Sequence, residues 1–123
     1  MEKKKRAESL KGRTRQIKTG CGNLYITLNR DEEGNLFECF ARLGKGGGCA
    51  ASQNEAIGRL ASLALRYAIP PEEIVEKLKG IVCHNPHGED DKKIWSCADG
   101  IARTIEKVIT DKKKVPEKDK VNV

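Results

Sequence analysis

The feature that most limits what this chain can fold into is a change of hydrophobic period at the glycine run Gly44-Lys45-Gly46-Gly47-Gly48. Before the run, apolar residues recur at every second position. Leu24, Ile26 and Leu28 alternate with Tyr25 and Thr27, and Phe37, Cys39, Ala41 and Leu43 alternate with Glu38, Phe40 and Arg42. A period of two belongs to strands with one buried face. After the run, Ile57, Leu60, Ala61, Ala64, Leu65 and Ala68 recur at intervals of three and four, the spacing of one helix face. Strands first and helices afterwards predict an α+β fold: a small antiparallel sheet of about three strands, with about three helices packed on one face.

Local signals refine this order. Strands are expected over 13–18, 23–29 and 36–43, joined by the turn Thr19-Gly20-Cys21-Gly22 and the polar loop 30–35. Ser52-Gln53-Asn54-Glu55 has the form of a capping box and places the first helix start near Ser52. A second helix follows Pro70-Pro71, with Glu72 and Glu73 in its first turn, Ile74, Val75 and Leu78 on its apolar face, and Gly80 as its stop. The segment from Ile81 to Trp95 is too polar and broken for a regular element. A third helix begins beside Cys97, with Ser96 as cap, Asp99 in its first turn, and a stripe of Ile101, Ala102, Ile105, Val108 and Ile109. Residues 1–10 are expected as a basic flexible arm, 11–110 as one domain and 111–123 as a flexible charged tail.

The charge is unevenly placed. Residues 1–18 carry eight cationic and two acidic side chains, which accounts for the whole net charge of +6. Such an arm can attract nucleic acid through its phosphates, but the expected reading is a solvated terminus and nucleic acid is not the expected partner. The expectation is a cytoplasmic protein, because no apolar run approaches the length of a membrane span and MEKKKRAESL has no apolar stretch after its basic start.

The glycine run fails as a nucleotide-binding loop by residue order. A P-loop places its lysine after the last glycine, followed by Ser or Thr, whereas here Lys45 precedes the glycines and Cys49 follows them. A weaker possibility remains open: Lys45, Gly46, Gly47, Gly48 and Ser52 could hold the phosphate of a nucleotide or a related small molecule at a helix N-terminus.

Five cysteines stand in the chain. Cys39 alternates with apolar residues on the buried strand face and reads as a small hydrophobe. Cys21, Cys49, Cys83 and Cys97 fall instead in turns, in loops or at helix starts, where four thiolates could close a tetrahedral zinc site. No C-x-x-C pair is present, so the fold itself must bring the four together. His84 and His87 either add imidazole ligands or stay solvated. No Ser-His-Asp or Cys-His-Asn order suggests nucleophilic catalysis.

GRTRQIKTGCGNLYITLN, FECFARLGKGGGCAASQNEAIGRLASLALR, PPEEIVEKLKGIVC and WSCADGIA together resemble the TSCPD domain, over about residues 11 to 109. That domain is found at the C-terminus of adenosylcobalamin-dependent ribonucleotide reductases and in short stand-alone proteins. Its recurring cysteines fall on Cys21, Cys49, Cys83 and Cys97, and the resemblance thus implies a four-cysteine cluster. The chain departs from the family pattern in reading SCADG for SCPDA and in placing His84-Asn85-Pro86 after Cys83. Ribonucleotide reduction needs a large barrel with a thiyl-forming cysteine and a cobalamin site. The resemblance therefore implies a non-catalytic accessory domain or small subunit, with adenosylcobalamin held by a partner reductase chain.

Overall fold

The computed structural model describes residues 2–44 and 48–114, with side chains as far as Asp111. Three antiparallel strands, β1 (Lys11–Thr19), β2 (Gly22–Arg30) and β3 (Leu36–Leu43), form one sheet in the order β1-β2-β3. Three helices follow: α1 (Gly48–Arg66), α2 (Pro71–Leu78) and α3 (Cys97–Lys114). The α+β architecture read from the change of period is the one observed.

Register explains which side chains are buried. Ile17 pairs with Leu24, Leu24 with Leu43, Ile26 with Ala41 and Leu28 with Cys39, so these residues share one face. Ile101, Ala102 and Ile105 of α3 join the same core, and Leu24, Ile26, Cys39 and Ile101 have no exposed surface. α3 comes close to β1 at Gly100, where an added Cβ would lie 2.7 Å from Ile17 Cδ1. Glycine at this position permits that approach.

α1 lies along the free edge of β3. The Ser62 hydroxyl accepts from the Cys39 N–H at 2.9 Å and donates to the Cys39 carbonyl at 3.0 Å, satisfying both polar groups of one edge residue. One turn earlier Gly58 brings the helix in, since a Cβ there would meet the Cys39 carbonyl oxygen at 3.0 Å. An edge covered in this way cannot recruit another strand.

The start of α1 corrects the capping-box expectation. The helix begins at Gly48, whose φ of +74° suits glycine, and runs through Cys49, Ala50 and Ala51 before reaching Ser52. Ser52 lies inside the helix and its hydroxyl donates back to the Cys49 carbonyl, while Glu55 pairs with Arg59 one turn on. Alanines propagate a helix well, so the good formers before Ser52 extended it backwards. The other end differs too. α1 stops at Arg66, Leu60 is 68% exposed, and Ala68 lies beyond the helix in the left-handed region at φ 63°. Ile69 N–H bonds to the Ala64 carbonyl and Ala68 N–H to the Leu65 carbonyl, the paired closure that usually carries glycine.

α2 and α3 agree with their signals. Glu72 and Glu73 occupy the first turn of α2, Ile74 and Val75 are buried, and Gly80 follows with φ +86°. Ser96 caps α3, its hydroxyl accepting from the Asp99 N–H at 3.0 Å. α3 extends to Lys114, past the expected start of the tail, and 115–123 lie outside the described residues.

Two residues of the basic arm are engaged by the fold. The Lys4 N–H donates to the Arg66 carbonyl at 2.8 Å and its carbonyl accepts from Arg66 Nε at 3.2 Å, while its ammonium bridges Asp31, Glu32 and Glu33. Arg6 pairs with the buried Glu38 at 2.6 Å.

Candidate functional site: a thiol cluster at the β1–β2 turn

Thr19 is the centre of the arrangement. It ends β1, is buried, and its hydroxyl donates to the Gly22 carbonyl at 3.0 Å while accepting from the Cys21 N–H at 3.1 Å. These two bonds hold the tight turn that carries Cys21, with Gly22 at φ +118° completing it. The Cys97 thiol, in the first turn of α3, approaches the same hydroxyl at 3.6 Å.

The irregular segment delivers a third sulfur. Its strands of chain are tied by the pair His87–Ile94 and by the bond from Cys83 N–H to the Trp95 carbonyl at 2.9 Å. Asn85 then locks the segment to the turn, its side-chain amide donating to the Gly20 carbonyl at 2.7 Å. The close packing of Asn85 on Gly20 leaves no room for a side chain at position 20. The Asn85 N–H also donates to Cys83 Sγ at 3.3 Å.

Cys21, Cys83 and Cys97 thus meet beside one turn, and the electrostatics of Cys21 reflect it. Burial, then Cys97, then Cys83 push the Cys21 thiol above its ordinary pKa, because each further thiolate repels the last. Cys39 is separate from this group: it is fully buried under α1, and burial pushes its thiol up to about 12.

Cys49 stands exposed in the first turn of α1, and no contact among the described residues joins it to the other three thiols. Among the described residues no group of three or more His, Cys, Asp or Glu side chains is disposed to hold a metal ion. His84 and His87 are exposed. Of the anion-site candidates, Lys45, Gly46 and Gly47 lie outside the described residues. Gly48 opens α1, and Ser52 turns its hydroxyl to the Cys49 carbonyl.

Asp99 and Thr19 are the functional positions that sequence reasoning undervalued. Asp99 was expected only as a first-turn acid. It is in fact fully buried, accepting from Gly80 N–H at 2.8 Å, Trp95 N–H at 3.0 Å and Arg103 Nε at 2.8 Å. One carboxylate therefore ties the end of α2, the Cys83 segment and α3 together. An acid two residues after a cysteine at a helix start was the available signal, but helix-dipole complementarity explained it equally well. Thr19 offered no signal beyond its place before the turn.

Among the described residues no helix is long and apolar enough to cross a membrane. No curated protein and no solved structure is similar enough to this chain to count as a match. The TSCPD domain family does match, over residues 1–109 and thus including the arm as well as the four loop and helix-start cysteines. With nearly the whole chain covered and the motif cysteines Cys21, Cys83 and Cys97 gathered at one turn, the protein belongs to the TSCPD domain family, which is associated with ribonucleotide reductases.

Proposed function

We propose that this protein is a non-catalytic accessory domain or small subunit serving an adenosylcobalamin-dependent ribonucleotide reductase, and that its clustered cysteines take up a structural metal ion such as zinc. The observation that carries this reading is the meeting of Cys21, Cys83 and Cys97 at the Thr19 turn in a chain of this family. Burial and the neighbouring Cys97 and Cys83 raise the cost of ionising Cys21, and a dication would reverse that balance by binding thiolates. Cys49, at the head of α1, is the fourth candidate ligand. A metal bound here would stabilise the junction between the hairpin turn, the 81–95 segment and α3. Adenosylcobalamin belongs to the partner reductase chain in this reading.

Metal analysis of anaerobically purified protein should return about one zinc or iron per chain. Material with none, and no gain in melting temperature on adding zinc, would remove the metal from the reading. The partner is tested separately, by gel filtration with a reductase catalytic chain that lacks this domain. Co-migration is expected, and failure to co-migrate, with metal bound or absent, would overturn the accessory role.

A further inference from the structure

Three cations of β1 share one face of the sheet. Lys11, Arg13 and Arg15 alternate along the strand, and the register places them on the helix-bearing face that Ile17 also shares. Arg30 pairs across from Lys11 on β2, which makes a fourth cation on the same corner of the sheet. Its guanidinium is held in place by donation to the Gly34 carbonyl at 2.8 Å.

Five cations elsewhere have acidic partners. Lys4 bridges Asp31, Glu32 and Glu33, and Arg6, Arg59, Lys79 and Arg103 pair with Glu38, Glu55, Glu106 and Asp99. Among the described residues, no carboxylate forms an ion pair with Lys11, Arg13, Arg15 or Arg30. This is notable because Asp31 adjoins Arg30 in sequence, yet its carboxylate accepts from Lys4 and from backbone N–H groups of the turn. Burial, then the charge of Arg15, pushes Arg30 below its ordinary pKa, so the two guanidinium groups feel each other. Like charges held together on one face of the sheet repel one another, and a bound anion would offset that repulsion.

The spacing selects the kind of anion. Alternate residues of an antiparallel strand are about 6.8 Å apart along a straight line. A straight ladder of charges suits a chain of regularly repeated phosphates more than a single compact anion, and an extended strand follows it better than the curved backbone of a duplex. Among the described residues, β1 is also a sheet edge with no strand on its outer side. Its cations disfavour pairing with the β1 of a second copy.

We propose that Lys11, Arg13, Arg15 and Arg30 form a binding surface for the phosphate backbone of a single-stranded nucleic acid. These groups contact phosphates and read no bases, so binding is insensitive to sequence and steeply dependent on salt.

Fluorescence anisotropy with a short labelled oligothymidylate at several salt concentrations tests the surface. The wild-type protein is expected to bind at low salt. Arg13→Ser with Arg15→Ser should weaken binding roughly tenfold and reduce the log–log salt slope by about 1.4, at roughly 0.7 per phosphate contact on a single strand. Arg13→Lys with Arg15→Lys should retain binding, which separates charge from any folding defect. Lys77→Gln with Lys107→Gln, an equal loss of charge on the helices, should leave the slope unchanged. No wild-type binding, or an equal loss in the helix variant, would overturn the proposal. Tighter binding of duplex DNA would overturn the single-strand assignment, and tighter binding of polyglutamate would transfer the surface to an acidic protein partner.

Discussion

The Asp99 carboxylate accepts the Trp95 N–H at 3.0 Å, and through this bond the first turn of α3 holds the end of the segment that carries Cys83. Trp95 in turn offers its carbonyl to the Cys83 N–H. The position of the thiol therefore depends on a carboxylate two residues past a different cysteine.

Replacing Asp99 with Ala leaves the Arg103 guanidinium and two backbone N–H groups without their acceptor. A loss of about 3 kcal/mol is expected, the size seen when one partner of a buried charged network is removed. Urea unfolding monitored by circular dichroism gives the loss of stability. Thiol alkylation followed by mass spectrometry should show Cys83 reacting faster in the variant while still folded.

Ser62→Ala removes the hydroxyl that satisfies both the N–H and the carbonyl of Cys39. A destabilisation of about 1–3 kcal/mol is expected for the two groups left at the buried edge. Because α1 then holds the β3 edge less firmly, the variant should also aggregate faster on heating, as light scattering would record.

Ala68→Gly should stabilise the protein by about 1 kcal/mol. The residue sits at φ 63°, where a Cβ is strained and glycine is not, and the two closing hydrogen bonds of α1 involve only the backbone. The greater freedom of glycine in the unfolded chain offsets part of the gain. A raised midpoint in thermal melting is the expected result, and an unchanged or lowered midpoint would count against strain at this position.

Stability should fall in acid, with Glu38 as one source. Burial pushes its carboxyl up, but hydrogen bonds from Arg6 and Asn29 outweigh burial and hold it below the usual range. Asp31 is likewise raised by burial but brought below its ordinary value by Lys4 and by the N–H groups of Asn35 and Glu33. In both cases the folded pKa lies below the unfolded one, so the unfolded chain binds more protons as acid is added. Their stabilisation is present above the unfolded value and is lost between about pH 5 and pH 3. Glu38→Gln should be less stable at neutral pH and should show a shallower decline over that window in urea titrations.

The residues show why some features were legible and others were not. Leu24, Ile26 and Leu28 name their face by alternation alone, since a strand has only two faces. Ser96 was recognisable as a cap because the helix stripe begins directly after it. Ser52 carried the same local signal and was misleading, because Ala50 and Ala51 before it are themselves strong helix formers. Leu60 fits a helical stripe, yet it is exposed because α1 packs along an edge through Gly58, Ala61 and Ser62. A broad apolar stripe cannot show which part of it finds a neighbour.

What the sequence determined by itself is the order and type of the elements, the burial of Cys39, and the ends of α2 and the start of α3. Each of these depends on residues close together in the chain. Tertiary structure alone decided that Cys21, Cys83 and Cys97 come together beside the Thr19 turn, that Asp99 ties three segments together, and that Lys4 and Arg6 find acids while, among the described residues, Arg13 and Arg15 do not. Those relationships join residues far apart in sequence, and local periodicity carries no information about which distant groups the packing of α3 and α1 on the sheet will bring into contact.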